Sequence, residues 1–233
     1  QGIPSYGIVN GDDVLDLTPI LGAQAPDLKA LIALDLLGAA AAAAKTHPAT
    51  LKFSQLTLLP VITNPNKIIC VGLNYGEHLR ETGRELTESP ALFLRMTESQ
   101  VAHGQDIVRP PESQRLDYEG EIAVIIGKGG RRISEADSWR HIAGYSCYND
   151  GSIRDWQAAT TQWTAGKNFF RTGGFGPWMV TADEIKPDQL MTLTTRLNGQ
   201  VMQTATTAMM IHSIPSQIAY ISTFIPLEAG DVI

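Results

Sequence analysis

The chain has 233 residues, of which 43% are hydrophobic and 18% are charged, so it can bury one sizeable core or a core with a small satellite domain. Its net charge is −6, and its densest basic stretch is GKGGRRI at 127–133, which argues against nucleic acid and anionic membranes as partners. The bulk properties therefore favour small-molecule chemistry.

Hydropathy and cysteine usage bear on the cellular location of the protein. No run of about 20 apolar residues occurs, so no membrane-spanning helix is predicted, and no signal peptide is predicted either. Cys70 and Cys147 stand beside apolar or aromatic neighbours and predict neither a disulfide framework nor a zinc site. These features favour a reducing, cytoplasmic location.

Residues 1–60 are predicted to form a small N-terminal α+β subdomain. The stretch SYGIVNGDDVLDL is typical of a hairpin with a type I′ turn at Asn10–Gly11. A helix is predicted from Asp27 to Ala44, because leucines recur on one face and an alanine run follows. The main domain, 61–233, then opens with a buried strand over Lys67–Leu73.

Short strands and turns alternate through the main domain. The predicted strands are ALFL at 91–94, Tyr118–Ile126, AGYSCYND at 143–150, GPWMVTADEI at 176–185, and a hairpin turning at Asn198–Gly199. The predicted helices cover 76–81, 154–162 and 216–223. This order indicates an α+β protein that is mainly β, with a sheet or roll in place of a βαβ array.

Two glutamates at the start of an apolar strand are the first candidate site residues. Glu119 and Glu121 share one face of a strand, roughly 6–7 Å apart along the backbone. Asp150 ends the next predicted strand, so the three carboxylates converge if the two strands are neighbours. Oxygen donors favour Mg²⁺ or Mn²⁺, with Ca²⁺ as a further candidate. The alternative is a solvated strand face with an Asx turn at Asp150.

Two more segments contain residues that suit catalysis. His78 and Glu81 lie on one side of a helical turn, where the carboxylate would orient the imidazole and let it activate water as a general base. Lys167 precedes an aromatic, glycine-rich loop that can approach a ligand closely. The alternatives are an ordinary surface His–Glu pair and a solvated lysine.

Six stretches together resemble the fumarylacetoacetate hydrolase family, specifically its bacterial members with a short N-terminal domain. They are KIICVGLNYGEHLRETG, LDYEGEIAVIIGK, GYSCYNDGSIRDWQ, WTAGKNFFRTGGFGPWMVT, LNGQVMQ and LEAGDVI. They follow the family's order and cover about residues 65–233. The resemblance implies a mixed β-sandwich roll and a homodimer.

The resemblance also assigns roles to individual residues. It implies Mg²⁺ or Mn²⁺ on Glu119, Glu121 and Asp150, with waters and substrate completing the coordination. The remaining implied roles are a catalytic His and Glu at His78 and Glu81, a substrate-side lysine at Lys167, and substrate-binding residues at Arg95, Gln157 and Tyr75.

The activity that the resemblance implies is hydrolysis of a C–C bond in a β-diketo acid, either an acylpyruvate or a fumarylacetoacetate-type compound. A metal would stabilise the departing enolate, His78 would activate water, and Lys167 and Arg95 would offset negative charge. The same enolate serves an oxaloacetate-type decarboxylase or a hydroxymuconate-type keto-enol isomerase, which are the alternatives.

Two departures from the family favour a third alternative, a non-catalytic binding module with a structural Ca²⁺. Phe170 stands where the family usually has Asp after GKNF. Relatives also continue past the position of Ile233 into a TGTP-like substrate loop and a closing strand. A substrate pocket built from residues 1–233 alone is therefore expected to be incomplete.

Overall fold

The structure, a computed structural model, describes residues 2–75 and 88–233. Its strands are β1 Gly7–Asn10, β2 Asp13–Asp16, β3 Leu51–Lys52, β4 Ile68–Gly72, β5 Ala91–Arg95, β6 Gln100–Ala102, β7 Leu116–Asp117, β8 Gly120–Ile126, β9 Ile142–Asp150, β10 Ser152–Ile153, β11 Gly173–Phe175, β12 Val180–Thr181, β13 Thr192–Leu197 and β14 Gln200–Thr206. Its helices are α1 Thr18–Leu21, α2 Leu28–Ala33, α3 Leu37–Thr46, α4 Arg154–Ala158, α5 Thr164–Lys167 and α6 Ile214–Phe224. Short 3₁₀ helices cover Phe53–Gln55, Thr97–Ser99, Ser138–His141 and Thr207–Met209. The prediction of a fold built from sheets and few helices is confirmed.

The N-terminal hairpin forms as predicted, but its turn lies one residue later. Asn10 pairs with Asp13 in the β1–β2 ladder, which leaves Gly11 and Asp12 as the turn residues. Of these two, only Gly11 has a positive φ, at 61°. A type I′ turn needs positive φ at both positions, so the predicted turn type is wrong.

The helix predicted from Asp27 to Ala44 is two helices, α2 and α3. Asp27 caps α2, since its carboxylate accepts a hydrogen bond from the Ala30 backbone N–H at 2.7 Å. The helical conformation is interrupted between α2 and α3 at Asp35, whose φ of 56° lies in the left-handed region. Ile32 of α2 packs in the same buried cluster as Val232. The domain boundary near residue 60 stays a prediction.

Strand β8 is buried on both faces, which explains its apolar sequence. Val124 and Ile126 pack with α6 in one buried cluster, while Ala123 and Ile125 pack on the other face with Phe175. The burial of alternate residues in two different clusters is the period-two geometry of a strand between two layers. The β-sandwich roll stays a prediction.

The main sheet has β9 at its centre. This strand pairs antiparallel with β8, β11 and β12, and β11 pairs parallel with β6. Residues 230–233 lie between β8 and β4: the Ile233 N–H donates to the Val124 carbonyl at 2.9 Å, and the Val232 N–H donates to the Lys67 carbonyl at 3.0 Å. Residues 230–233 therefore join β4 and β5 to the sheet.

Most of the remaining predicted elements form in the described residues, but the strand predicted over 176–185 is reduced to β12, Val180–Thr181. The β13–β14 hairpin turns at Asn198 and Gly199, whose φ values of 52° and 81° are those of the predicted I′ type. The strand predicted over Tyr118–Ile126 starts later, at Gly120, and the helix predicted over 154–162 ends at Ala158. The helix predicted at 76–81 lies outside the described residues. Among the described helices, none is long and apolar enough to cross a bilayer.

Candidate active site

A cavity of about 930 Å³ opens where β8 begins and β9 ends. This volume suits a small-molecule ligand. Its walls include most of the predicted site residues, namely Tyr75, Glu119, Glu121, Asp150, Gln157 and Lys167.

The pairing of β8 with β9 brings the three carboxylates to this cavity. Glu121 lies opposite Tyr148, and the Asp150 backbone N–H donates to the Glu119 carbonyl at 2.8 Å. Glu119 and Glu121 are two residues apart, and Asp150 and Tyr148 are likewise, so all four side chains share one face. The residues at the start of β8 and at the end of β9 therefore place their acidic side chains in the same cavity.

Lys167 lies buried among these acids, with only 2% of its surface exposed. Its ammonium donates to Glu119 Oε2 at 2.7 Å and to Asp150 Oδ2 at 2.6 Å. It also lies 4.9 Å from the centre of the Phe93 ring, a cation–π contact. The solvated-lysine alternative is therefore wrong.

An arginine that the sequence analysis missed completes the pairing of Glu119. Arg154, the first residue of α4, donates to Glu119 and to Gln157 Oε1, the latter at 3.0 Å. It also forms an ion pair with Asp117 at 2.8 Å. The available signal was the RDWQ stretch, which places Arg154 and Gln157 three residues apart on one helical face.

Arg95 holds Asp150 from the buried side. Its guanidinium donates to the Asp150 carboxylate, to the Gly151 carbonyl at 3.1 Å and to Thr172 Oγ1 at 2.8 Å. Burial alone would raise the pKa of Asp150, but Lys167 and Arg95 hold that pKa below its usual value. Arg95 is not among the described residues that line the cavity. Its predicted contact with substrate stays a prediction.

Glu121 differs from the other two acids. Within residues 2–75 and 88–233, no hydrogen bond or ion pair reaches its carboxylate. Burial, followed by the negative charges of Glu119 and Asp150, raises the pKa of Glu121 to about 8 against the opposing charge of Lys167. Burial and the charge of Glu121 raise the pKa of Tyr75 to about 12, so its hydroxyl stays protonated at neutral pH.

The donor set fits a divalent ion in its chemistry. Three carboxylates offer the hard oxygens that Mg²⁺ and Mn²⁺ prefer, and each oxygen of Glu119 and Asp150 has lone-pair capacity beyond its present bond. As the side chains stand, no three His, Cys, Asp or Glu residues of the described ranges are grouped closely enough to hold an ion. The ammonium of Lys167 lies between Glu119 and Asp150 instead. The ligand roles stay a prediction.

Of three other positions singled out in the sequence, two lie outside the residues that the structure describes and one lies away from the acidic cluster. His78 and Glu81 fall outside the described residues. Phe170 is 68% exposed, so its ring faces solvent where the family usually has Asp. Nearby, the Asn168 side chain accepts from the Met96 N–H at 2.6 Å and donates to the Leu94 carbonyl at 3.0 Å. Asn168 therefore ties the GKNFF loop to the edge of β5.

Comparison with known proteins gives one family model and a consistent group of relatives. The model describes the C-terminal region of fumarylacetoacetate (FAA) hydrolase and matches residues 67–233. A mitochondrial oxaloacetate tautomerase from Bos taurus is 37% identical over 182 residues, which are 77% of this chain and 58% of that protein. The chain thus spans about three fifths of the length of the curated relatives it matches.

Two solved structures are similar over much of the chain. A maleylpyruvate hydrolase from Sphingobium sp. SYK-6, in complex with manganese(II) and pyruvate, matches 98% of this chain and 83% of its own, with 29% identity and a TM-score of 0.82. A 2-hydroxyhepta-2,4-diene-1,7-dioate isomerase from Mycobacterium marinum matches 78% of this chain and 66% of its own, with 32% identity and a TM-score of 0.68. These relatives share the mixed fold of sheets and few helices.

Proposed function

This chain belongs to the fumarylacetoacetate hydrolase family, and from that premise we propose that it is a metal-dependent hydrolase that cleaves a C–C bond in a β-diketo acid. The observation that carries the proposal is the cluster of Glu119, Glu121 and Asp150 on one cavity wall with Lys167 buried among them. A divalent ion held by these acids would let the cluster bind and polarise an α-keto carboxylate.

The metal proposal is supported by the donor chemistry and by the manganese ion in the structure of the maleylpyruvate hydrolase. Mg²⁺ or Mn²⁺ on Glu119, Glu121 and Asp150 would polarise the keto and carboxylate oxygens of the substrate and so favour enolate formation.

The cationic and polar side chains would bind and orient the substrate. Lys167 and Arg154 place positive charge on the acidic wall, where it offsets the negative charge that develops as the C–C bond breaks. Gln157 and the protonated Tyr75 hydroxyl line the same cavity and would hydrogen-bond substrate oxygens. His78, oriented by Glu81, is the proposed general base that activates water.

A second candidate function is isomerisation or decarboxylation of a related keto acid. The names of the relatives favour isomerisation, since one is an oxaloacetate tautomerase and another is an isomerase. These reactions need the same stabilised enolate, whereas hydrolysis also needs a positioned water. A His78→Ala variant that loses diketo-acid hydrolysis and keeps oxaloacetate turnover would separate the two roles.

The decisive experiment uses Glu121→Gln, because this substitution removes a carboxylate without breaking a hydrogen bond of the described residues. Steady-state assays would cover acylpyruvates, oxaloacetate and a hydroxymuconate-type compound, with Mg²⁺, Mn²⁺, Ca²⁺ or EDTA. We expect metal-dependent turnover in the unaltered protein and a loss of about 100-fold or more in the variant. Glu135→Gln, at an exposed position, is the matched control. Inactivity of the unaltered protein on every substrate would support the non-catalytic binding module instead.

We also propose that the protein is a homodimer located in the cytoplasm. The dimer is inferred from the family, and light scattering at micromolar concentration tests it directly. A mass near 25.3 kDa, that of one chain, would contradict it.

A further inference from the structure

One cation at the rim of the cavity has no role in the acidic cluster. Arg115, Arg154 and Lys167 are the basic side chains among the described residues that line the cavity. Arg154 is paired with Asp117 and Glu119, and Lys167 is paired with Glu119 and Asp150. No ion pair within 4 Å reaches the exposed Arg115 from residues 2–75 or 88–233. Its charge is therefore available to a ligand.

The backbone of Arg115 is fixed even though its side chain is exposed. Its carbonyl accepts a hydrogen bond from the Arg154 N–H at 2.9 Å, and its own N–H donates to Ser113 Oγ at 3.0 Å. The adjoining residue, Leu116, pairs with Ile153 in the β7–β10 ladder. The backbone of Arg115 is therefore held in place beside α4, the helix that also contains Gln157.

The pKa of the nearby Asp155 is lowered first by its hydrogen bond from Ser113 and, to a smaller extent, by the charge of Arg115. Asp155 accepts hydrogen bonds from Ser113 Oγ at 2.7 Å and from the Trp156 N–H at 3.1 Å. Its carboxylate does not form an ion pair with Arg115 in the described residues. The guanidinium of Arg115 keeps its full set of donors for an anionic group.

Another part of the cavity wall offers no charge. Residues from β13, β14 and the segment after them line it with apolar side chains, namely Leu193, Met202, Met209 and Met210. Such a surface accepts methylene groups and disfavours a carboxylate, because an unpaired charge loses hydration there. A second acidic group on a ligand would therefore be directed towards Arg115.

We infer that Arg115 is a specificity-determining residue that binds the distal carboxylate of a 2-oxo diacid whose keto-acid end faces Glu119, Glu121 and Asp150. This inference rests on the proposed function and names the residue of this chain that would select a diacid over a monoacid. A guanidinium binds a carboxylate through two parallel hydrogen bonds, so Arg discriminates a diacid from a monoacid of equal length.

The test compares two non-hydrolysable ligands of the same chain length, 2-oxoglutarate and 2-oxopentanoate, by calorimetry with Mg²⁺ present. We expect the unaltered protein to bind the diacid about tenfold more tightly, the size of one charge-assisted contact at an exposed site. Arg115→Gln should bring the two dissociation constants within about twofold of each other without changing that of 2-oxopentanoate. Arg115→Lys should keep part of the preference, and Arg131→Gln, an exposed arginine outside the cavity lining, should keep all of it.

Each result bears on one proposal separately. Equal binding of the two ligands by the unaltered protein, no binding of either, or an unchanged preference in Arg115→Gln would overturn the role of Arg115. A diacid preference that Arg115→Gln abolishes, in a protein that turns over no keto acid, would support Arg115 and reject the proposed hydrolase. Turnover of acylpyruvates without diacid preference would do the reverse.

Discussion

Replacing Arg95 by methionine tests whether this arginine serves the stability of the acidic cluster. The substitution removes a guanidinium that is 2% exposed and that contacts Asp150, Gly151, Ser99 and Thr172. The carboxylate of Asp150 is then left in a buried site with Lys167 as its cationic partner. Removing one partner of a buried ion pair costs about 3–5 kcal/mol.

The loss is measurable by urea unfolding followed by tryptophan fluorescence. We expect a lower midpoint at an unchanged slope, and a melting temperature lower by about 6–20 °C, since 1 kcal/mol corresponds to about 2–4 °C in a chain of this size. Arg140→Met is the matched control, because Arg140 is 83% exposed and pairs with Asp137 at 3.4 Å. It should cost at most about 0.5 kcal/mol.

A second substitution separates charge from packing. Asp150→Asn removes the carboxylate that Arg95 pairs with, so Arg95→Met should cost at least about 1 kcal/mol less in an Asp150→Asn background than in the unaltered protein. The reasoning is refuted if Arg95→Met costs no more than the Arg140 control. It is also refuted if Arg95→Met costs as much in the Asp150→Asn background as in the unaltered protein.

Three further substitutions probe local geometry and charge. A Cβ at Gly72 would overlap with the Trp163 ring, which lines the cavity. Gly72→Ala should therefore lower the free energy of unfolding in urea by about 1–3 kcal/mol and should also lower kcat/KM. Wild-type values of both quantities would contradict this. Gly38 has open space around it in α3, so Gly38→Ala should instead stabilise the protein by about 0.5–1 kcal/mol, and a destabilised variant would reject that. The hydrogen bond from Ser113 lowers the pKa of Asp155, so Ser113→Ala should raise that pKa towards 3.8 in a carbon-13 NMR titration. The stability difference between the two proteins should shrink as the pH falls below the titration, leaving the pH-independent cost of the lost bond from the Arg115 N–H, and an unshifted pKa would exclude the Ser113 bond as the cause.

Local sequence patterns predicted the parts of the fold that depend on short-range chemistry. The Asn198–Gly199 turn forms as expected because both residues adopt positive φ. The similar Asn10–Gly11 pair fails as a turn because the β1–β2 register places Asn10 opposite Asp13. The break at Asp35 was hidden because leucines and alanines continue on both sides of it. Register and helix breaks are set by packing partners that a local pattern does not contain.

The candidate site could be predicted from the sequence only as far as the pairing of its strands could be predicted. The face shared by Glu119 and Glu121 follows from the period of two, and Asp150 joins them because β8 and β9 are neighbours. Arg154 was missed because its partner Glu119 lies 35 residues away, across a pairing that sequence spacing does not reveal. The burial of Lys167 was likewise set by distant acids, 48 and 17 residues away.

The position of residues 230–233 between β4 and β8 bears on how the protein is synthesised. During translation, Lys67 and Val124 leave the ribosome long before the backbone groups of Val232 and Ile233 that they bind. Until residues 230–233 emerge from the exit tunnel, β4 and β8 each present an unpaired edge, which is a template for pairing with other nascent chains. Deleting residues 230–233 should therefore give a product that binds chaperones and aggregates.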